Sequence, residues 1–387
     1  MLKNIFKQFG REKEDLNRAQ RVHLGTFGKH PGWDDHIEDI GIDTACLIAV
    51  KRILYFQGIE SNIQAGNWEQ LTETQRLEEY SHLFVWSDPD DVVVGRMWSS
   101  SDGKGRTKYP MVVCAQCSNV PLKCIIEEVL PCLAKIEKQC IATTSPSDVR
   151  NIIENSQKEI THRLAGSRSS QTDPSVAFES LAKLADRPEM GHDYTGLHRI
   201  LYYIEREMTA YHNGNSERTG AGKTSHPRPV QLRVPACADS TTDSFLLWTD
   251  VLLKRLDPAA TTLFLIPLNE TWMDIIVGEP TTSELYCLKA SLEAIPLTSS
   301  IPYELDKKFI NWAQKTINDS RNGKPQQTPA PTETVTLPKQ PIKVDTATRK
   351  KSSLKKIIVL SLILLLLAGV IVVELIGWEF LKLAIPE

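Results

Sequence analysis

One short run of this chain crowds together the side chains that bind metals and move protons. KHPGWDDH, residues 29–36, places His30, Asp34, Asp35 and His36 within seven positions. Imidazole and carboxylate groups this close could hold a divalent metal, or serve as general acid and base in a metal-dependent hydrolase. The same residues have a plainer use. Pro31 and Gly32 are turn formers, and Asp34 or Asp35 could cap a following helix. No nucleophile motif and no second ligand cluster stand out elsewhere. The four residues are therefore candidates for a metal, and no catalytic residue or cofactor is assigned.

Two further runs invite chemistry. Cys114 and Cys117 form a C-x-x-C pair, with Cys124 and Cys132 downstream, enough thiolates for a zinc ion. The pair ends a predicted strand, however, where side chains three apart start on opposite faces. A zinc ribbon would also show a second C-x-x-C. TGAGKTS at 219–225 resembles a phosphate-binding loop, but Glu217 stands where its first glycine belongs. A helix is expected before it instead of a strand, and His226, Pro227 and Pro229 oppose one after it. It reads as a basic loop.

The elements that position these residues follow from periodicity. Strands are expected at 22–28, 82–86, 92–97, 109–116, 230–234, 262–266 and 272–277. Helices are expected near 44–56, 122–136 (kinked at Pro131), 147–164, 175–185, 194–212, 242–256, 282–291 and 303–316. SSSDGKGRTK between the third and fourth strands carries Asp-Gly and a second glycine, a hairpin loop. The fold class is α/β, with a mixed sheet that contains hairpins and is flanked by helices, not a purely parallel doubly wound sheet.

The chain has 387 residues, 41% of them hydrophobic, and a formal charge of −3. That balance excludes bulk nucleic-acid binding, and no small-molecule substrate is implied. The eight cysteines are scattered, as in a reducing compartment. From Ile357 to Val373 only Ser361 is polar, and after Glu374 the apolar run continues to Trp378. As a helix, 357–378 extends roughly 33 Å, enough to cross a bilayer. Arg349, Lys350, Lys351, Lys355 and Lys356 precede it, which keeps the large N-terminal part in the cytoplasm. Residues 379–387 form a short tail beyond the membrane. Residues 318–356 read as a Pro- and Thr-rich disordered linker with a basic end. Residues 1–20 are charged, and a helical reading puts Leu2, Ile5, Phe6 and Phe9 on one face beside Lys3, Lys7 and Arg11. Such a segment could lie on an anionic membrane or pack on its own domain.

Two runs within 21–317 carry a resemblance. FGKHPGWDDH (27–36) resembles the FGKLPxxGDF signature that opens the TagF family, also called ImpM, of type VI secretion-associated proteins. VGRMWSSSDGKGRTKYPMVV (94–113) is similar to that family's later signature, with Ser100, Asp102, Gly105, Arg106, Tyr109 and Pro110 at matching places. The stretch from Leu232 to Pro280 resembles its closing segment. The likeness spans about residues 23–295. It departs at His30, at Trp33 to His36, and in the C-terminal linker and anchor.

The resemblance implies regulation without chemistry: a post-translational adaptor that binds a forkhead-associated scaffold protein or a membrane-complex component. Together with the C-terminal span, it implies a bacterial inner-membrane location. On this reading Gly28, Lys29, Pro31, Gly32, Trp33, Asp34 and Asp35 join the second motif's residues and Lys104 in one contact surface. Alternatively Gly28, Pro31, Gly105 and Pro110 only shape turns. A separate possibility is a structural subunit of a secretion-related assembly. Thr328, Thr332, Thr334 and Thr336 in the linker would suit phosphothreonine recognition.

Overall fold

Hydrophobic runs in the strands are long because both faces of the sheet are covered. The computed structural model describes residues 20–88, 91–121, 124–166, 184–216, 228–236, 241–253 and 260–322. The chain divides into two units, Met1–Pro331 and Thr332–Glu387, and every described residue lies in the first. The strands are β1 (Arg21–Gly28), β2 (Ser81–Ser87), β3 (Val92–Ser99), β4 (Pro110–Ser118), β5 (Val230–Pro235), β6 (Thr262–Pro267) and β7 (Trp272–Val277). They form a seven-stranded sheet in the order β1-β4-β3-β2-β6-β7-β5.

Every pairing in that sheet is antiparallel, which corrects the expectation of a mixed sheet. Hairpins join β2 to β3, β3 to β4 and β6 to β7, and the longer connections also return each strand antiparallel to its neighbour. β5 and β6 run the same way and are joined by a helical crossover, but β7 lies between them, so no two neighbouring strands are parallel.

Alternation along the strands sorts side chains between two cores. Leu83, Val85, Met111 and Val113 face one; Phe84, Trp86, Val112 and Cys114 face the other. The first core is closed by α2 (Leu130–Ile141), α3 (Pro146–Gly166), α4 (Thr195–Ser216), α5 (Thr241–Leu253) and α6 (Lys307–Arg321). The second is closed by α1 (Ala45–Lys51), its π-helical continuation Arg52–Glu60, and a 3-10 segment at Glu284–Lys289. Cys117 lies in the first core and Cys114 in the second, so the sheet separates the two thiols of the C-x-x-C pair.

Local chemistry sets the helix ends. Thr44 caps α1 by accepting from the Leu47 N–H at 3.1 Å, and Asp306 caps α6 by accepting from Phe309 at 2.7 Å. The winding changes at Pro131: Ile125–Val129 is π-helical and α2 begins at Leu130, so the proline marks a break in the expected helix. The expected helix at 282–291 is the shorter 3-10 segment, and the last helix continues through Arg321 because Ile317 and Ser320 extend its buried face. Residues 318–321, read as the start of the linker, are therefore the last turn of this helix.

Two polar devices finish the sheet. β1 is an edge strand, and the Gln157 amide acts as a surrogate partner: its Oε1 accepts from the Leu24 N–H at 2.7 Å and its Nε2 donates to the Val22 carbonyl at 2.6 Å. At the other edge Arg233 of β5 is buried and forks onto Asp274 of β7 at 2.9 and 2.7 Å. Its Nη1 also donates to the carbonyls of Ala290, Ser291 and Ile295 at 2.9, 2.8 and 3.1 Å. That guanidinium ties the sheet to the segment that crosses the second core, which Trp68 and the backbone at 74–78 hold from its other side.

Among the described residues no helix is long and apolar enough to cross a membrane. The span read at 357–378, the linker threonines, residues 1–19, TGAGKTS and most of the helix read at 175–185 lie outside the described residues.

Candidate functional site

The order β1-β4-β3 brings the two motif loops side by side. Gly28, the last residue of β1, pairs with Met111, while Pro110 pairs with Ser99 at the end of β3. Both loops thus leave the same end of the sheet. Gly28 makes this possible: its φ is +111°, and a Cβ there would lie 2.2 Å from the Pro110 carbonyl oxygen. That oxygen accepts from the Lys29 N–H at 3.0 Å. The first loop then closes through an isolated bridge between Lys29 and His36.

Lys29 is buried at 3% exposure, and its ammonium meets two carboxylates, Asp102 at 2.6 Å and Asp35 at 2.8 Å. The Asp102 side chain is fully enclosed. Its Oδ2 takes Lys29 and the Arg106 Nε, the latter at 2.7 Å, and its Oδ1 accepts the N–H groups of Lys104 and Arg106 at 3.0 Å each. Arg106 reaches back across the gap to the Asp34 carbonyl at 2.8 Å and the Asp35 carboxylate at 3.3 Å. The Gly103 N–H donates to the Trp33 carbonyl at 2.7 Å. Residues of both motifs therefore form one cross-braced clamp.

The electrostatics keep the Asp102 and Asp35 carboxylates charged. Burial opposes ionisation of Asp102, but Lys29, Arg106 and two backbone N–H groups outweigh it and hold its carboxyl well below the usual range. Lys29 likewise lowers the Asp35 carboxyl, with help from His36 at 3.0 Å. His30 is the opposite case. Burial holds its ring below the usual imidazole value. Its Nδ1 accepts from the Gly32 N–H at 3.0 Å, so its Nε2, 3.0 Å from the Cys140 carbonyl, is the donor. Both nitrogens of a neutral ring are thereby used.

That geometry bears on the metal candidates. His30 points to α2, while Asp35 and His36 face Lys29 and an aromatic cluster. Among the described residues no three His, Cys, Asp or Glu side chains gather where a metal could bind. The four candidates are neighbours in sequence that the fold sends in different directions.

What faces outward is mixed charge. Asp34 is 84% exposed, with Lys104 Nζ 4.0 Å away. Asp35, Arg106 and His36 are exposed as well, as is Pro31, while Gly32 and Trp33 are half-buried. Ser100, half-exposed, opens the second loop, and Gly105 turns it at φ +76°. Tyr109 closes it by packing edge-on to His36, with ring centroids 5.3 Å apart. Tyr55, from the π-helical segment, completes the cluster at 5.7 Å from both rings. Sequence reading missed Tyr55, which lies in an apolar helical run with nothing to set it apart.

A scan against protein-family models finds no match, and a search of curated proteins finds none.

Proposed function

We propose that this protein is a non-enzymatic, membrane-tethered adaptor or regulator of a type VI-like secretion machine. It would dock a protein partner on the surface formed by residues 28–36 and 100–110. The observation that carries the reading is the clamp: the two runs that resemble TagF signatures meet through Lys29, Asp102 and Arg106. Its buried members are paired with each other, which suits a rigid platform for recognition better than proton transfer. The exposed Asp34, Asp35, Lys104 and Arg106 supply the specificity, because misaligned charges at an interface are costly. The span at 357–378 would anchor the domain at the inner membrane, with the linker as tether, and so raise its local concentration at the complex.

The test is crosslinking in native membranes followed by mass spectrometry. Recovery of a forkhead-associated scaffold or of secretion-complex components is expected. Asp34→Lys with Lys104→Glu, a double reversal that leaves the buried clamp intact, should then reduce that recovery at least tenfold. Unchanged recovery would remove this surface from the interface. Recovery of no such partner from well-represented protein would defeat the secretion reading.

A further inference from the structure

Three large hydrophobic side chains are exposed among the described residues: Ile48 at 51%, Phe56 at 45% and Ile141 at 63%. Two of them belong to one continuous helix, and its irregular winding aligns them. In a pure α-helix Ile48 and Phe56 would point about 80° apart. From Arg52 the helix widens to π winding, with about 4.4 residues per turn, which brings position 56 back into line with 48 and 52. The exposure pattern follows that winding: Ile48, Arg52 and Phe56 are exposed, while Ile53, Leu54 and Tyr55 are buried.

The stripe is apolar at both ends, with acid in excess at its margins. Lys51 lies over the Phe56 ring at 5.3 Å and is bound by Asp39, and Arg52 is paired with Glu279. Glu60, which ends the π-helical segment beyond Phe56, adds a third acid beside the two bases. An apolar stripe in an acidic border fits a basic amphipathic segment. This chain carries one: Leu2, Ile5, Phe6 and Phe9 on one helical face, with Lys3, Lys7 and Arg11 on the other.

The covalent path favours that segment over a separate partner. His23 of β1 pairs with Gln116, which accepts a hydrogen bond from Thr44, the cap of α1. The chain therefore enters the sheet near the Ile48 end of the stripe. Residues 10–20 could extend to roughly 36 Å, whereas Ile48 and Phe56 are about 12 Å apart along the helix. We propose that residues 1–11 dock in cis on the Ile48–Arg52–Phe56 stripe as an amphipathic helix, with Ile5, Phe6 and Phe9 covering Ile48 and Phe56.

The test places a benzophenone photocrosslinker at position 6 of the full chain, reconstituted in vesicles of phosphatidylethanolamine and phosphatidylglycerol. Monomer-mass crosslinks to residues 45–64 are expected. Ile48→Ser with Phe56→Ser, both at exposed positions, should cut their yield about tenfold while the melting transition stays in place. Crosslinks to lipid would assign the segment to the membrane, and dimer-mass products would assign it to a second copy; either overturns the proposal. So would an undiminished yield in the double variant, or crosslinks confined to another part of the domain.

Discussion

Lys29 governs the site at the residue scale. Its ammonium neutralises Asp102, which is wholly enclosed and also receives Arg106. Removing one member of such a pair strands the other, and a stranded buried charge is far more damaging than a lost surface pair. Lys29→Met should lower the melting temperature by on the order of 10 °C, and Asp34→Asn at the exposed rim by no more than about 2 °C. Differential scanning calorimetry of the two variants checks this contrast. If Lys29→Met melts with the wild type, the clamp is not what joins the loops. The participants were partly legible beforehand: Lys29, Asp102 and Arg106 stand out as charged residues in turn-rich runs. Their pairing was not, because 73 positions separate Lys29 from Asp102 and only the β1-β4 register brings them together. His30 shows the reverse. Its neighbours invite a metal reading, yet one ring nitrogen serves the Gly32 N–H and the other the distant Cys140 carbonyl, roles that no spacing rule encodes.

At the scale of elements, strands and hairpins were readable because alternation and Asp-Gly punctuation are local signals. The uniform antiparallel order was not readable, since connection length alone does not say where a strand returns. The Arg233–Asp274 pair was equally hidden, although each residue sits as a lone charge within an apolar strand. Arg233 joins two sheet strands to the segment at 284–297, so its loss should act locally as well as globally. Arg233→Leu should speed hydrogen exchange at 287–295 by at least tenfold. Adding Asp274→Leu removes the stranded acid and should restore much of the overall stability, while exchange in that segment stays fast because its carbonyls still lack a donor. Exchange mass spectrometry against urea midpoints separates the two effects.

For the molecule as a whole, acid should act in two stages. Burial, reinforced by Lys289 and Arg233, pushes His82 down to about 3, and burial lowers His30 and His198 as well. A histidine with a depressed folded value binds its proton more readily in the unfolded chain. Its stabilisation is complete above about pH 6.5 and declines as pH falls toward the folded value, by up to about 1.4 kcal/mol per pH unit for each group. Asp102 and Asp35, held low by their cations, keep their contribution down to the ordinary carboxylate range and lose it only below that, as pH falls through their folded values. Stability should therefore begin to decline near pH 6, before the clamp protonates. His82→Gln should flatten the slope between pH 6.5 and 4.5 in urea titrations followed by tryptophan fluorescence. At this same scale the proposed tether predicts that ending the chain before residue 349 moves the protein from the membrane to the soluble fraction.

Under the proposed membrane tether, the Gln157 amide has a consequence for life in two dimensions. Chains confined to a membrane plane meet one another far more often than chains in bulk, and an unpaired strand border is the surface on which neighbours would polymerise. By occupying the Leu24 donor and the Val22 acceptor, one side chain completes the cover that the Thr26–Ile40 bridge begins along that border. Gln157→Leu should leave a dilute sample monodisperse in light scattering and make a concentrated or membrane-bound one grow in size with time. Crowding tolerance would then rest on a residue remote from every motif in the chain.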